Sequence, residues 1–392
     1  NWPRQSLPEM WICYRTNPAI SSWKSSEVAA RIAEFPFTVA FAYTDDETNH
    51  MADIVLPEAT DLESLQLIRI GGTTYTENFW HQEGWAIRQP AVDPLHDNRD
   101  MTDIATELAR QAGVLAAYNQ AVNGGAAGSK LKGEGYDFSL DPDEVHGRDE
   151  IWDAHCKSAS HQLSGGSQVH GLDWFKDNGF MLRDFSQLQW YLQPFLRRQK
   201  LRFELPYQER LTRHGRELAN RLKESGIGWW DSQLAEYEFL PTYHSFSDIW
   251  LNYAREYGEN PDDYPFWALT ARSMQYQWGG NVGIPMIKEV ADNIAGHKGV
   301  IINRSRAREM GIGEGDEVRI QSVVGETRGP AVLREGIRPD TVLMIGQFDH
   351  WKTPVAKDFN LPSLNSVTDL SLKLTDSTGS GADLMRVKIT RS

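Results

Sequence analysis

The amino-acid sequence predicts an α/β region built on a parallel sheet, followed by a compact β-barrel. Three observations carry this. Strands and helices alternate from the start to about residue 118, the pattern of a parallel sheet covered by helices. From Phe266 onward the pattern changes to short period-two segments separated by glycine turns. Hydrophobic residues make up 40% of 392, enough for a substantial core. The expected division is 1–120 for the α/β portion, 121–263 for an elaboration of mixed helix and loop, and 264–392 for the barrel.

In the first portion, Trp11–Tyr14 is a short apolar strand, and Asn17-Pro18 stops it. Ser25–Glu34 reads as a helix with Ala and Ile on one side. Phe37–Tyr43 is a continuous apolar run of the buried parallel type. Ala52–Pro57 is a strand ended by proline. Asp100–Gly113 reads as a helix whose apolar face is Ile104, Leu108 and Ala112, with a glycine stop. Asn123–Gly135 is rich in Gly, Ala and Ser and reads as a linker or exposed loop.

In the middle, Tyr207–Ser225 is a charged amphipathic helix capped by Gly226. The stretch from Trp229 to Tyr264 is crowded with Trp and Tyr, suited either to packing against another domain or to lining a channel for an aromatic substrate. In the last portion Val300–Asn303 is a strand, Ser305–Met310 a helical turn, and Gly311–Asp316 a glycine-rich turn. Glu317–Ser322 alternates at period two. Gly325-Glu326 turns the chain, and Gly329–Arg334 returns as its hairpin partner. Thr341–Ile345 and Met385–Ile389 complete the strand set.

The formal net charge of −14 argues against a nucleic-acid partner, which needs basic surface to neutralise phosphates. Cys13 and Cys156 cannot build a disulfide framework or a cysteine-rich metal site. No apolar run reaches the roughly 18 residues of a membrane span. His155, Cys156, His161 and His170 match no tight ligand spacing, so no metal site is assigned. The start, Asn1-Trp-Pro-Arg, fits no initiator or signal sequence. The chain therefore reads as the C-terminal portion of a longer polypeptide.

Thr270, Arg272, Ser273, Gln275, Trp278 and Asn281 lie in one stretch after an apolar strand. The arginine fork and the hydroxyls suit a phosphate, and the amides suit a heteroaromatic ring edge. The same run could be a polar loop, and Arg272 a structural ion pair. Gly346–Trp351, with Gln347 and His350, follows another strand. His350 reads equally as a ligand contact or a hydrogen-bonded loop histidine. Asn17 stands at a strand end suited to a nucleotide. Asp45 or Asp46 could accept from ring nitrogens or ribose hydroxyls, whereas Asp53 reads as a cap or turn residue.

Taken together, Tyr264–Asn281, Ala307–Ser322, Asn365 in Leu361–Asn365, and Thr375–Gly381 resemble the C-terminal cofactor-binding domain of the molybdopterin oxidoreductases of the dimethyl sulfoxide reductase family. Asn17-Pro18 and Thr44–Pro57, which includes Asp45 and Thr48, resemble that family's third domain, although Gly71–Asn78 departs from its simplest form. The resemblance implies a double-psi barrel and two molybdopterin guanine dinucleotides per metal, molybdenum or tungsten. It implies that Asn17, Asp45, Thr48, Thr270, Arg272, Ser273, Gln275, Trp278, Asn281, Gln347, His350 and Asn365 bind this cofactor. Catalytic residues and the metal ligand are not identified in the chain, which is expected to hold half of the cradle and no redox cofactor stably by itself.

The implied partners are the upstream half of the same catalytic subunit, with an iron–sulfur cluster there, an iron–sulfur electron-transfer subunit and a membrane anchor subunit. Arg272–Asn281 and the aromatic stretch look closest to the phenylacetyl-CoA:acceptor oxidoreductase branch, with arsenate, polysulfide or thiosulfate reductases as alternatives. The compartment is cytoplasmic or membrane-associated for a CoA ester and periplasmic for a respiratory reductase. The rival from another class is a non-catalytic structural subunit of the same fold.

Overall fold

The computed structural model describes residues 8–70, 82–126, 128–184, 208–228, 230–235, 237, 243, 245–276, 279–294, 296, 298–345, 349–359, 361–371, 374 and 385–392. The chain falls into two compact units, residues 1–55 with 206–392, and residues 56–205. These units do not coincide with the divisions 1–120, 121–263 and 264–392.

The first unit opens with β1 (Trp11–Tyr14), α1 (Pro18–Ser21), α2 (Ser25–Ile32), β2 (Thr38–Ala42) and α3 (Glu47–His50). Strands β1 and β2 pair in parallel, Trp11 against Thr38 through Tyr14 against Phe41. All five residues of β2 are buried, as a continuous apolar run demands of a strand covered on both faces. Strand β3 (Ile54–Pro57) completes this sheet as an exposed edge. Asp53 accepts from the Thr38 amide at 2.7 Å, a structural tie at the entry to β3.

The second unit contains β4 (Gln66–Ile70) and β5 (Gln82–Arg88), α4 (Met101–Gln111), α5 (Leu115–Asn123), the short hairpin β6 (Lys132–Gly133) and β7 (Tyr136–Asp137), α6 (Arg148–Leu163), α7 (Leu172–Asn178) and β8 (Phe180–Asp184). Strands β4, β5 and β8 form an antiparallel sheet. Trp152, Cys156 and Ala159 of α6 pack on Leu65, Leu67 and Ile87, with Leu172 and Phe175 of α7.

Two sequence expectations are corrected here. The buried residues of α4 are Thr106 and Ala109, not the Ile104–Leu108–Ala112 row; Leu108 is exposed. Spacing identifies a face, but neighbours decide which face is covered. Of the two readings of Asn123–Gly135, the linker is corrected: the segment is a largely exposed loop tied down at several points. Leu131 is fully buried, Asn123 exchanges two hydrogen bonds of 2.9 Å with Leu140, and the Lys130 carbonyl accepts from Ser158 and Gln162 of α6. Ser129 adds a further tie, its hydroxyl donating to the His155 carbonyl of α6 at 3.3 Å.

Back in the first unit, α8 (Gln208–Glu224) ends where Gly226 adopts φ +69°, the left-handed conformation glycine tolerates. Helix α9 (Phe246–Glu256) buries Trp250 and Tyr253 against Tyr264, Leu374 and Met385. Trp250, Tyr253 and Tyr264 thus pack within their own unit, while Trp229 lies outside the described residues. The rest is β9 (Phe266–Ala271), α10 (Pro285–Asp292), β10 (Val300–Asn303), α11 (Arg304–Glu309), β11 (Glu317–Gln321), β12 (Glu326–Arg334), β13 (Thr341–Ile345) and β14 (Met385–Arg391).

Six of these strands close into a barrel in the order β10-β12-β11-β14-β9-β13. Its core takes alternate residues from every strand: Phe266 and Ala268, Val300 and Ile302, Val318 and Ile320, Ala331 and Leu333, Val342 and Met344, Val387 and Ile389. The inward half of a period-two strand fills a small barrel completely. Each large aliphatic side chain buried this way stabilises the fold by about 1.5–3 kcal/mol. At the mouth of β10, Gly299 has φ +100°, and a Cβ there would meet the Pro330 carbonyl at 2.2 Å.

Ile320 is fully buried in this core, so Ile320→Ala should lower unfolding free energy by about 2–5 kcal/mol through lost contacts and a residual cavity. Leu269 on β9 is 47% exposed, and Leu269→Ala should stay within about 0.5 kcal/mol of the parent. Denaturant titration of both variants checks the contrast. Equal losses would contradict this inside–outside assignment.

Candidate functional site

The positions singled out by sequence cluster at strand C-terminal ends. Strands β13 and β9 run parallel, with Met344 opposite Thr270 and Ile345 opposite Ala271. The C-terminal ends of these two strands therefore lie side by side. Asn17 follows β1, and Thr44–Thr48 follow its parallel neighbour β2. In open α/β sheets this is the edge where ligands bind.

One carboxylate joins segments from both structures. Glu47, at the first position of α3, is fully buried. Its Oε1 accepts from three successive backbone amides, Trp351 (2.9 Å), Lys352 (2.8 Å) and Thr353 (2.9 Å). Its Oε2 accepts from Asn17 Nδ2 (2.7 Å) and Thr353 Oγ1 (2.8 Å), and His350 Nδ1 lies 3.3 Å away. Asn17 Oδ1 in turn accepts from the Thr48 amide (3.1 Å) and hydroxyl (2.8 Å), and Thr48 Oγ1 accepts from the Ala19 amide (3.1 Å). Burying a charge is costly unless it is fully hydrogen-bonded, and here nearly every lone pair is engaged.

Adjacent acids are driven apart. Burial works to raise the Glu47 pKa, but hydrogen bonds from His350, Thr353, Lys352 and Asn17 outweigh it and hold the carboxyl well below its usual range. Asp46 is pushed up to about 6, by burial first and then by the Glu47 charge, although it caps α3 by accepting from the Asn49 amide at 2.8 Å.

The structure brings Asn17, Thr48 and His350 together around Glu47. Asp45 stands at the rim, half exposed, paired with Lys352 at 3.2 Å. Thr270 and Arg272 are exposed at and just beyond the end of β9. Ser273 is buried, and its Oγ accepts from the Tyr276 amide at 3.1 Å. Gln275 and Asn281 are partly buried in the same segment. Asn365 donates Nδ2 to the Ile20 carbonyl at 2.7 Å, and its own carbonyl accepts from Lys24, which ties the C-terminal segment to α1 and α2. Trp278, Gln347, Gly71–Asn78 and Thr375–Gly381 lie outside the described residues.

The sequence reading missed Glu47 and Thr353. It weighed the neighbours Asp45 and Asp46 instead. The available signal was an acid opening a short helix just after a fully apolar strand, where a buried position is imminent. It also missed Arg15, whose guanidinium lies 5.5 Å from the Tyr14 ring centroid and 5.6 Å from that of Tyr43. Gly280 sits beside Tyr43: a Cβ there would lie 3.7 Å from the phenolic oxygen.

The histidines and cysteine of α6, and His170 ahead of α7, do not converge. His155 is lowered to about 4 by burial and the Cys156 thiol is pushed up to about 12 by burial. His161 packs on Tyr136 and His170 stacks on Trp174. Among the described residues no three His, Cys, Asp or Glu side chains group to hold a metal. Cys13 and Cys156 are both free and buried.

Glu47→Gln should destabilise the first unit by about 3–5 kcal/mol, because buried donors lose a charged acceptor. The sign with pH follows from the lowered pKa: the contribution is complete above the ordinary value of 4.5 and is lost as pH falls below it. Asp46 acts oppositely, its protonated form favouring the fold at low pH and that benefit vanishing as pH rises through about 6. Melting curves from pH 3 to 8 should show parent and Glu47→Gln separated at neutral pH and converging in acid. A pH-independent gap would contradict the assignment.

Comparison with known protein families matches residues 269–381 to the Molydopterin dinucleotide binding domain. No curated protein sequence matches the chain. Among solved structures, acetylene hydratase from Pelobacter acetylenicus superposes with a TM-score of 0.61 at 12% identity, covering 100% of this chain and 45% of that one. The chain thus spans less than half the length of that protein and shares its fold. The matched residues 269–381 run from β9 across the barrel to the segment before β14, and are similar to a molydopterin dinucleotide binding domain.

Proposed function

We propose that this chain is the C-terminal portion of the catalytic subunit of a molybdenum or tungsten bis(pterin guanine dinucleotide) oxidoreductase. The carrying observation is the dinucleotide-binding match across residues 269–381, laid on a barrel whose β9 and β13 ends stand together. The polar set fits a pyrophosphate-linked heteroaromatic group: as donors the Arg272 fork, the Thr270 hydroxyl and the amides of Gln275 and Asn281, and beside them the buried His350 Nε2, which has no partner among the described residues. When bound, the group supplies two-electron redox chemistry at its metal. The chain's own residues hold and orient it, with Glu47 fixing the 350–353 segment and Asn365 fixing the segment beyond. The barrel reads as the double-psi form, supported by its parallel β10–β12 and β13–β9 pairs in an otherwise antiparallel ring.

For the substrate, the reading remains phenylacetyl-CoA oxidation, resting on the resemblance of Arg272–Asn281; the packed Trp250, Tyr253 and Tyr264 lend it no support. An iron–sulfur cluster and electron-transfer subunit would serve the same two-electron chemistry. In the full enzyme, Arg272→Ala should lower pterin and metal content about ten- to a hundredfold, since a charge-assisted hydrogen bond contributes about 1.5–3 kcal/mol. Arg272→Lys should recover part, keeping charge without the fork. Metal analysis, pterin content and melting temperature together decide: full occupancy in a folded alanine variant removes Arg272 from the site. Parent enzyme free of pterin, molybdenum and tungsten would instead establish the non-catalytic structural reading.

A further inference from the structure

We infer that His350 Nε2 is a hydrogen-bond acceptor for an N–H or O–H donor of the bound pterin dinucleotide, and that Glu47 is the positioning residue that sets its tautomer. This rests on the cofactor reading above and assigns one atom within it.

The His350 side chain is 1% exposed and that of Glu47 is 0% exposed. Nδ1 faces Glu47 Oε2 at 3.3 Å. Glu47 is held ionised by five other donors, and an ionised carboxylate accepts only. The hydrogen on the shared contact therefore belongs to Nδ1. The opposite nitrogen, Nε2, is buried without a partner among the described residues. A protonated Nε2 would leave an unmet cationic N–H in the interior, a larger penalty than an idle lone pair. The neutral Nδ1–H form follows, with Nε2 bare.

The position of the residue says what this lone pair is for. His350 lies in the segment after β13, parallel to and beside the β9 end that leads to Arg272, inside the dinucleotide-binding match. Only the parts of such a ligand that carry N–H or O–H can satisfy Nε2. Phosphate and dithiolene groups cannot, so the partner is a pterin or guanine ring or a ribose hydroxyl. Trp351, Lys352 and Thr353 cannot swing the ring away, because their amides are committed to the same carboxylate.

The test uses the full enzyme with 15N-labelled histidine, produced in cells with and without pterin synthesis. Without cofactor, His350 should show a protonated Nδ1 and a bare, unbonded Nε2. With cofactor, Nε2 should move toward the hydrogen-bonded range while Nδ1 stays protonated. His350→Leu should lower cofactor content about tenfold at unchanged fold, and His350→Gln, which places an amide oxygen near the lost nitrogen, should restore most of it. An imidazolium in the cofactor-free enzyme, or an Nε2 signal indifferent to loading, would overturn the inference while leaving the cofactor reading intact. Should His350→Leu fail to fold, the labelling of the parent enzyme decides alone. A full enzyme without pterin would overturn both.

Discussion

The Glu47 carboxylate is the interaction on which the arrangement of the candidate site depends. It opens a four-residue helix that has little stability of its own, yet it gathers donors from Asn17, 30 positions earlier, and from Thr353, 306 positions later. Loop segments that leave separate sheets would each sample many conformations. Holding them to one buried charge replaces many weak constraints with a single strong one. The cost is desolvation, and it is offset because three backbone amides converge on one oxygen in the geometry that anions favour.

That convergence exists because of strand direction. Parallel pairing of β1 with β2, and of β13 with β9, sends each pair's following segments out on a common side. An antiparallel arrangement would have put Asn17 and Glu47, or Arg272 and His350, at opposite ends of their sheets. The barrel contributes rigidity. Its interior is filled by alternate aliphatic residues from all six strands, so the strand ends are fixed by packing before any ligand arrives. The site is thus carried by a core that takes no part in it.

Much of this was legible in the chain. Period-two alternation in Glu317–Ser322, glycine turns at Gly311–Asp316 and the hairpin return at Gly329–Arg334 marked the barrel strands, since a strand with one face inward must alternate. The unbroken run Phe37–Tyr43 marked a doubly covered strand. Other features were not legible. The row Ile104, Leu108 and Ala112 has helical spacing, but Thr106 and Ala109 are what the neighbours cover. Asn123–Gly135 has a linker's composition, yet Asn119 and Asn123 bind the carbonyls of Asp141, Pro142, Glu144 and Leu140 and order the segment that follows. Of the aromatic residues between Trp229 and Tyr264, Trp250, Tyr253 and Tyr264 pack with Leu374 and Met385, a partnership more than 100 residues distant that composition does not encode.

By itself the sequence determined the two kinds of structure in this chain, because side-chain periodicity and turn residues are local properties. Tertiary structure alone decided which of three adjacent acids, Asp45, Asp46 and Glu47, is buried, charged and structural. That choice depends on where the amides of Trp351–Thr353 arrive, and no local pattern encodes a partner 300 residues away. The same holds for His350: its residue type was evident, but its tautomer and its unmet nitrogen follow only from the carboxylate placed beside it.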